Sequence, residues 1–474
     1  MKLTFWGAAQ QVTGSMYLLE VAEDYRILID CGFDMERERS EAPTITPHYK
    51  GSAFPFDASL INVVVLSHAH IDHSGNLPNL VREGFEGQIV CTAATYSLTQ
   101  LLLSDSAALH QKRWKKYHKQ RTHKKEPAQN TAEWYTQKHV NDAEEQFFTL
   151  QFNRRFQLTQ GVYVTLIPVG HLLGAAAILL EVEEEGTTKK LIFSGDIGRK
   201  NYPLLPDPDP IPEVDYMLCE TTYGARRHAL NGAAEDIVQE IIYKACVEIT
   251  GRLIIPAFSV GRTQAILYTL NKLSVQGKLP PIKVFADSPL AYKSTQVYNR
   301  YVELLDDEAK AFFQTHHSLF DFENLIYVAD MKTSRAISNH NEPCIIISSS
   351  GMVQGGRVEN HVKVNIQNPY ATILMIGYAA EGTLGRQLLN RSKVLEIKDK
   401  TIPILANVAH IDIFSGHGDQ EDLLNFVRSQ NPTRLKKLFL IHGEPSSMET
   451  FKEKLQEEGY QHIEVPSRGK TYEL

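Results

Sequence analysis

Ser67-His68-Ala69-His70-Ile71-Asp72-His73-Ser74-Gly75 follows directly on the run Leu60-Ile61-Asn62-Val63-Val64-Val65-Leu66. The run is apolar and β-branched, the texture of a buried strand. Four candidate ligands, His68, His70, Asp72 and His73, thus leave the end of a strand within six positions. His68 and His70 are two apart, so an extended backbone points both the same way. Asp72 and His73 come as the chain turns toward a helix beginning near Asn76, and they can face a second point. This spacing suits two metal ions side by side better than one. Imidazole with carboxylate is a borderline-hard donor set that fits Zn2+, with Mn2+ the other ion it would accept. Any one of these histidines could be a solvated loop residue. A cluster of them beside a buried strand is costly to hold together without a cation.

The chain has 474 residues, a formal charge of −7 and 43% hydrophobic residues. At about 150 residues per domain, that length allows two to four domains with ample core. The acidic balance argues against bulk electrostatic wrapping of nucleic acid and leaves a local basic channel open. No run of about 18 apolar residues occurs, so no membrane span is expected. Met1-Lys2-Leu3-Thr4-Phe5-Trp6-Gly7 enters a strand directly and does not read as a signal peptide. Cys31, Cys91, Cys219, Cys246 and Cys344 lack C-x-x-C spacing and mostly fall in apolar patterns. They read as reduced core residues, which sets the expected location as cytoplasmic.

The hexad from His68 to His73 resembles that of the metallo-β-lactamase superfamily of two-metal hydrolases, and further pieces follow in order. Residues 1–30 read as a hairpin-rich β segment closing at Asp30, where the superfamily has an aspartate that orients a ligand histidine. Residues 34–57 read as a polar loop. Gln88 to Thr92 is another strand, and a long helical stretch begins near Ala94. Within it, residues 112–125 hold eight Lys or Arg and no acid, interleaved with Trp114 and Tyr117. A solvated face and a phosphate-backbone contact are both open for that run. His171 follows the strand Tyr163 to Pro168, and Asp196 follows the strand Lys190 to Phe193. A carboxylate at such a strand end can bridge two cations. Both positions match the superfamily's third and fourth motifs. Ligands gathered at the strand ends of one sheet edge fit a four-layer αββα sandwich.

After the stiff connector Asp207 to Pro212 and the strand ending in Glu220, the texture changes. From about 231 to 406, helix and strand alternate without His/Asp clusters, which implies a parallel-sheet α/β domain. Ligand chemistry returns at Ser415-Gly416-His417-Gly418-Asp419 and at the strand ending in His442. The α/β block is therefore inserted into the metal domain. The expected division is 1–224, 225–410 and 411–474, with the first and last parts forming the metallo-β-lactamase domain.

With these pieces the resemblance narrows to the β-CASP nucleases, which include ribonuclease J and the endonuclease of the cleavage and polyadenylation factor. Their inserted domain caps the metal cleft, and their three added motifs are matched by Glu220, His417 and His442. Further family-like strings are Ile255 to Arg262, Asp287-Ser288-Pro289-Leu290-Ala291, Ser349-Ser350-Gly351-Met352 and Glu381 to Arg386. His442 resembles the RNA-processing branch, since DNA-repair members usually carry an aliphatic residue there. The C-terminal domain of ribonuclease J and the N-terminal KH domains of archaeal relatives are not expected in this chain. The basic run at 112–125 departs from the family pattern.

The resemblance implies that one metal takes His68, His70 and His171 and the other Asp72, His73 and His442, with Asp196 bridging. The implied reaction is hydrolysis of single-stranded RNA to 5′-phosphate and 3′-hydroxyl products, endonucleolytic or 5′-exonucleolytic. His417, held by Glu220, is the expected general acid, since a neighbouring carboxylate raises a histidine pKa. Asp419 is a rival explanation for the motif, as the cap of the next helix. Ser349, Ser350 and Gly351 are candidates to hold a substrate phosphate through hydroxyls and a backbone nest; a plain turn is the alternative. A homodimer is an open assembly. Two other functions stay open: a small-molecule hydrolase at the same metals, and a non-catalytic RNA-binding subunit.

Overall fold

A computed structural model describes residues 1–34, 52–121, 134–228, 232–377, 379, 382–397 and 400–474. The chain divides into two compact units. The first comprises Met1–Lys200, Asp207–Arg227 and His417–Leu474; the second comprises Asn201–Pro206 and His228–Gly416.

Two seven-stranded sheets build the first unit. In one, Lys2–Gly7, Met16–Ala22 and Tyr25–Ile29 pair antiparallel in turn, and Val63–Val65, Gln88–Thr92 and Phe147–Leu150 continue it in parallel. In the other, Val162–Pro168, Ala176–Glu184 and Thr187–Phe193 run antiparallel, and Tyr216–Glu220 joins in parallel. Side chains alternate with a period of two, and both faces of the first sheet are buried. Leu3, Phe5, Tyr17, Leu19, Ile27 and Val65 meet Leu166, Ile178, Phe193, Leu218 and Phe439 of the second sheet. Phe5 and Phe439 pack with ring centroids 5.1 Å apart, and Tyr17 and Phe193 at 5.2 Å. The alternate residues Leu18, Leu28, Val64 and Ile89 face Leu77, Leu80, Leu103 and Val140 on covering helices. Met448, Phe451 and Leu455 of the helix Pro445–Glu457 are fully buried. The unit is thus an αββα sandwich.

The C-terminal segment enters both sheets. Lys437–Ile441 pairs in parallel with Tyr216–Glu220, setting Glu220 opposite Ile441. Thr471–Glu473 closes the edge of the other sheet against Lys2–Thr4.

In the second unit, Arg252–Pro256, Lys283–Asp287, Leu325–Tyr327, Cys344–Ser348, Ala371–Met375 and Asn407–His410 form a six-stranded sheet, parallel at every pairing. Val394–Ile397 and Lys400–Pro403 form a separate antiparallel pair. Purely parallel strands read as continuous apolar runs because helices cover both faces; Cys344-Ile345-Ile346-Ile347 is such a run, wholly buried.

The strand expected over Leu60 to Leu66 is shorter. Only Val63–Val65 pairs, and Ala58–Leu60 is a 3-10 turn capped by the Asp57 carboxylate. Ile71–Ser74 already forms a helical turn, before the helix Leu77–Arg82. The long helix spans Ala93–Arg121, and Lys112, Arg113 and Lys115 are exposed on it. The side chains of residues 116–121, Lys124 and Lys125, and most of the loop expected over 34–57, lie outside the described residues. All five cysteines are buried thiols. No helix among the described residues is long and apolar enough to cross a membrane.

Candidate metal centre

Parallel register brings the strand ends together. Ile29 lies opposite Val65, so Asp30 and the Ser67–His73 segment leave the sheet side by side. Asp30 and His442 each follow a strand with φ of 55° and 50°. Left-handed backbone is uncommon outside glycine and turns the chain sharply out of the strand. The Ser15 N–H donates to the Asp72 carbonyl and the Cys31 N–H to the His73 carbonyl, each at 2.8 Å. A Cβ on Gly32 would lie 1.7 Å from the Asp72 carbonyl oxygen, so this close approach requires glycine. The His442 N–H donates to the Ala8 carbonyl at 2.8 Å.

The sequence-predicted ligands fall into two clusters sharing an edge. His68, His70, His171 and Asp196 bring one donor atom each within 4.8 Å of one another, and so do Asp72, His73 and His442. His68 Nε2 and His171 Nε2 each lie 3.1 Å from His70 Nδ1. Both also lie 3.5 Å from Asp196 Oδ2. The other oxygen, Oδ1, lies 3.3 Å from His73 Nε2. His73 Nε2 is 3.2 Å from His442 Nε2, which is 3.5 Å from Asp72 Oδ2. One Asp196 oxygen therefore faces each cluster. Buried lone pairs converging at such distances fit a divalent cation in each.

Protein oxygens set the tautomers behind the ligands. Asp30 Oδ2 accepts from His73 Nδ1 at 2.6 Å and from the Ser67 hydroxyl at 2.8 Å. Asp30 Oδ1 takes the Ser67 N–H at 2.7 Å. With its proton committed to Asp30, Ser67 Oγ accepts from His68 Nδ1 at 3.1 Å. Asp30 thus orients two histidines, one directly and one through Ser67. Ser67 stands immediately before the hexad, and its role was not legible there.

Electrostatics follow the burial. Burial pushes His68 well below its ordinary value and holds His70 at about 4. Both imidazoles are kept neutral, as a metal requires. Burial raises Asp30. Burial lowers His73, but the Asp196 and Asp30 charges more than reverse this. Both shifts keep a proton at the Asp30–His73 contact. Burial opposes ionisation of Asp196, yet the facing histidines, His442 and His73 foremost, hold it well below the usual carboxylate range. Asp72 is likewise lowered against burial, by its bond to His442 and the charge of His73.

Glu220 and His417 form a third group with Asp196. Glu220 is fully buried. Its Oε1 takes the Ile197 N–H at 2.7 Å and lies 3.1 Å from His417 Nδ1. Its Oε2 takes the Thr222 N–H at 3.1 Å. The carboxylate is filled by these bonds and serves to orient His417, whose Nε2 lies 3.9 Å from Asp196 Oδ2. Asp419 does cap the next helix, accepting from the Glu421 and Asp422 N–H groups, so His417 and Asp419 have separate tasks.

The second unit carries the other candidates. Ser349 Oγ and Ser259 Oγ each lie 3.1 Å from Ser288 Oγ. Ser350 Oγ donates instead to the Gln354 carbonyl at 2.9 Å, within its own loop. Gly351 lies against the Phe258 ring. Ser288 and Ser259 join Ser349 through tertiary contact, which their separate strings in the sequence do not show.

Comparison with known proteins agrees along the chain. Residues 10–219 match the family model of the metallo-β-lactamase superfamily. Residues 263–388 match the β-CASP domain, and 401–466 the Zn-dependent metallo-hydrolase RNA specificity domain. Ribonuclease TTHA0252 of Thermus thermophilus is 30% identical, over 94% of this chain and 94% of its own. An RNase J-like protein of Methanocaldococcus jannaschii is 30% identical, over 93% of this chain and 92% of its own. Transcription termination factor FttA of Methanosarcina mazei is 28% identical, over 94% of this chain and 67% of its own. The chain belongs to the β-CASP nuclease family of the metallo-β-lactamase superfamily, with a His/Asp metal cluster in a Zn-dependent hydrolase fold.

Proposed function

We propose that this protein is a metal-dependent ribonuclease that hydrolyses phosphodiester bonds of single-stranded RNA to 5′-phosphate and 3′-hydroxyl products, in RNA processing or decay. The observation that carries the reading is the third group beside the two ligand clusters. A histidine held by a buried carboxylate stands next to the shared carboxylate Asp196. A phosphodiester needs this proton source, because its alkoxide leaving group is strongly basic. The names of the relatives, ribonuclease and RNase J-like protein, support the choice of RNA.

His68, His70 and His171 would hold one Zn2+ and Asp72, His73 and His442 a second, with one Asp196 oxygen turned to each. Bound there, the ions supply Lewis acidity and an acidified water near neutral pH. The chain's own residues do the rest. Asp30 and Ser67 hold two imidazoles in the tautomer that leaves Nε2 bare. Glu220 turns His417 so that Nδ1–H is bound and Nε2 faces the cluster, where it can deliver a proton to the leaving oxygen. Ser349 and Ser288 offer hydroxyls suited to a phosphate oxygen. Met1–Lys200, Asp207–Arg227 and His417–Leu474 would make the metal domain from both ends of the chain, close to the expected division at 225 and 411.

The test is turnover of end-labelled single-stranded RNA, with and without chelator, beside a lactam and a thioester. RNA cleavage abolished by chelator and restored by zinc is expected. Turnover of the small substrates alone would make the protein a small-molecule hydrolase. RNA binding without turnover would make it a non-catalytic subunit.

A further inference from the structure

We infer that Thr222 is the positioning residue for His442, fixing its ring tautomer and aiming Nε2 at Asp72 and His73. The inference rests on the reading of His442 as a ligand of the second cluster. Thr222 Oγ1 donates to the His442 carbonyl at 3.1 Å and lies 3.0 Å from His442 Nδ1. A hydroxyl has one proton; given to the carbonyl, which can only accept, it leaves the oxygen's lone pairs facing Nδ1. In that arrangement Nδ1 carries the hydrogen and Nε2, which faces Asp72 and His73, keeps the free lone pair. The next acceptor near Nδ1, Asp196 Oδ1, is at 3.7 Å, beyond hydrogen-bonding distance. Ser67 does the same for His68, with its proton committed to Asp30. Thr222 itself is immobilised, since its N–H donates to Glu220 Oε2 at 3.1 Å.

The turn has a second anchor beside Thr222. Thr221 supplies it: its hydroxyl donates to the Ile441 carbonyl at 2.8 Å, and its own carbonyl accepts from Ser447 Oγ at 2.6 Å. The hydroxyl of Thr222 spends both its functions on His442. Groups behind metal-binding histidines typically contribute 10–100-fold in affinity.

The experiment titrates the chelated full-length protein with zinc by calorimetry, comparing wild type, Thr222→Val, Thr222→Ala, Thr222→Ser and His442→Ala. Thr222→Val and Thr222→Ala should bind the first ion as wild type does and the second about 10–100-fold more weakly. Thr222→Ser keeps the hydroxyl and should restore the second site. Thermal melting of the chelated proteins should be unchanged, which separates orientation from folding. Wild-type binding of both ions by Thr222→Val or Thr222→Ala would overturn the inference. So would equal impairment in Thr222→Ser, which would assign the effect to the methyl group. If His442→Ala itself keeps two undiminished sites, the ligand reading fails. If it loses the second site while Thr222→Val does not, only the role of Thr222 fails.

Discussion

His73 and His442 are 369 positions apart in the chain, and their Nε2 atoms lie 3.2 Å apart. Two bare imidazole nitrogens would repel at that distance, and a divalent cation held between them would make the approach favourable. Lys437–Ile441 carries His442 there by pairing with Tyr216–Glu220, so the second cluster exists only when the C-terminal segment is docked.

Metal binding should therefore stabilise the fold. Zinc at about 100 times its dissociation constant adds about 2.7 kcal/mol per site. Chelation should lower the melting temperature, and His442→Ala should lose the second-site share while the first site still binds. Equal stabilisation of wild type and variant by zinc would show that His442 contributes no ligand. A chain stopped before Leu435 should lose the second ion and part of the core.

Asp30 reaches both clusters, binding His73 Nδ1 directly and His68 through Ser67. Asp30→Asn should weaken both ions by about 10–100-fold, unlike Thr222→Val. Calorimetric titration checks this. Weakening confined to the second ion would mean that the link through Ser67 does not orient His68.

His417→Ala should keep both ions and slow RNA cleavage by about 100-fold or more, the usual scale for a lost general acid. A substrate with a low-pKa leaving group should recover much of that rate. Equal losses on both substrates would assign His417 another task.

In the second unit, Asp287 sits at the end of a strand and accepts from Arg357 Nη1 at 2.6 Å, His361 Nε2 at 2.7 Å and Ser334 Oγ at 2.5 Å. Burial raises its pKa, but these bonds outweigh burial and lower it. A depressed folded-state value contributes stability that is full above the unfolded value, about 3.9, and is lost as pH falls through the folded value. Asp287→Asn should cost on the order of 3 kcal/mol at pH 7, because it leaves Arg357 without its carboxylate. Urea unfolding of the chelated proteins at pH 7 and pH 3 reads the difference, which should shrink at the lower pH. A gap of constant size would mean that the carboxylate's charge is not what stabilises this site.

The candidate site residues could be picked out in the sequence because most of their segments begin where an apolar strand gives way to polar residues. Hydrophobic periodicity marks such ends without any tertiary knowledge. His68, His171, Asp196, Glu220 and His442 are all of this kind, and the insertion of the α/β block followed from ligand chemistry resuming at His417. The sequence could not show what stands behind the ligands. Asp30 serving two histidines, Ser67 passing that support to His68, and the Thr222 hydroxyl lying against the His442 ring all depend on which oxygen lies within about 3 Å of which nitrogen. That distance is decided by strand register, left-handed turns at Asp30 and His442, and the glycine at 32. Hydroxyl residues next to a ligand are common and carry no periodic signal. Only the packed sheets decide which of them face an imidazole.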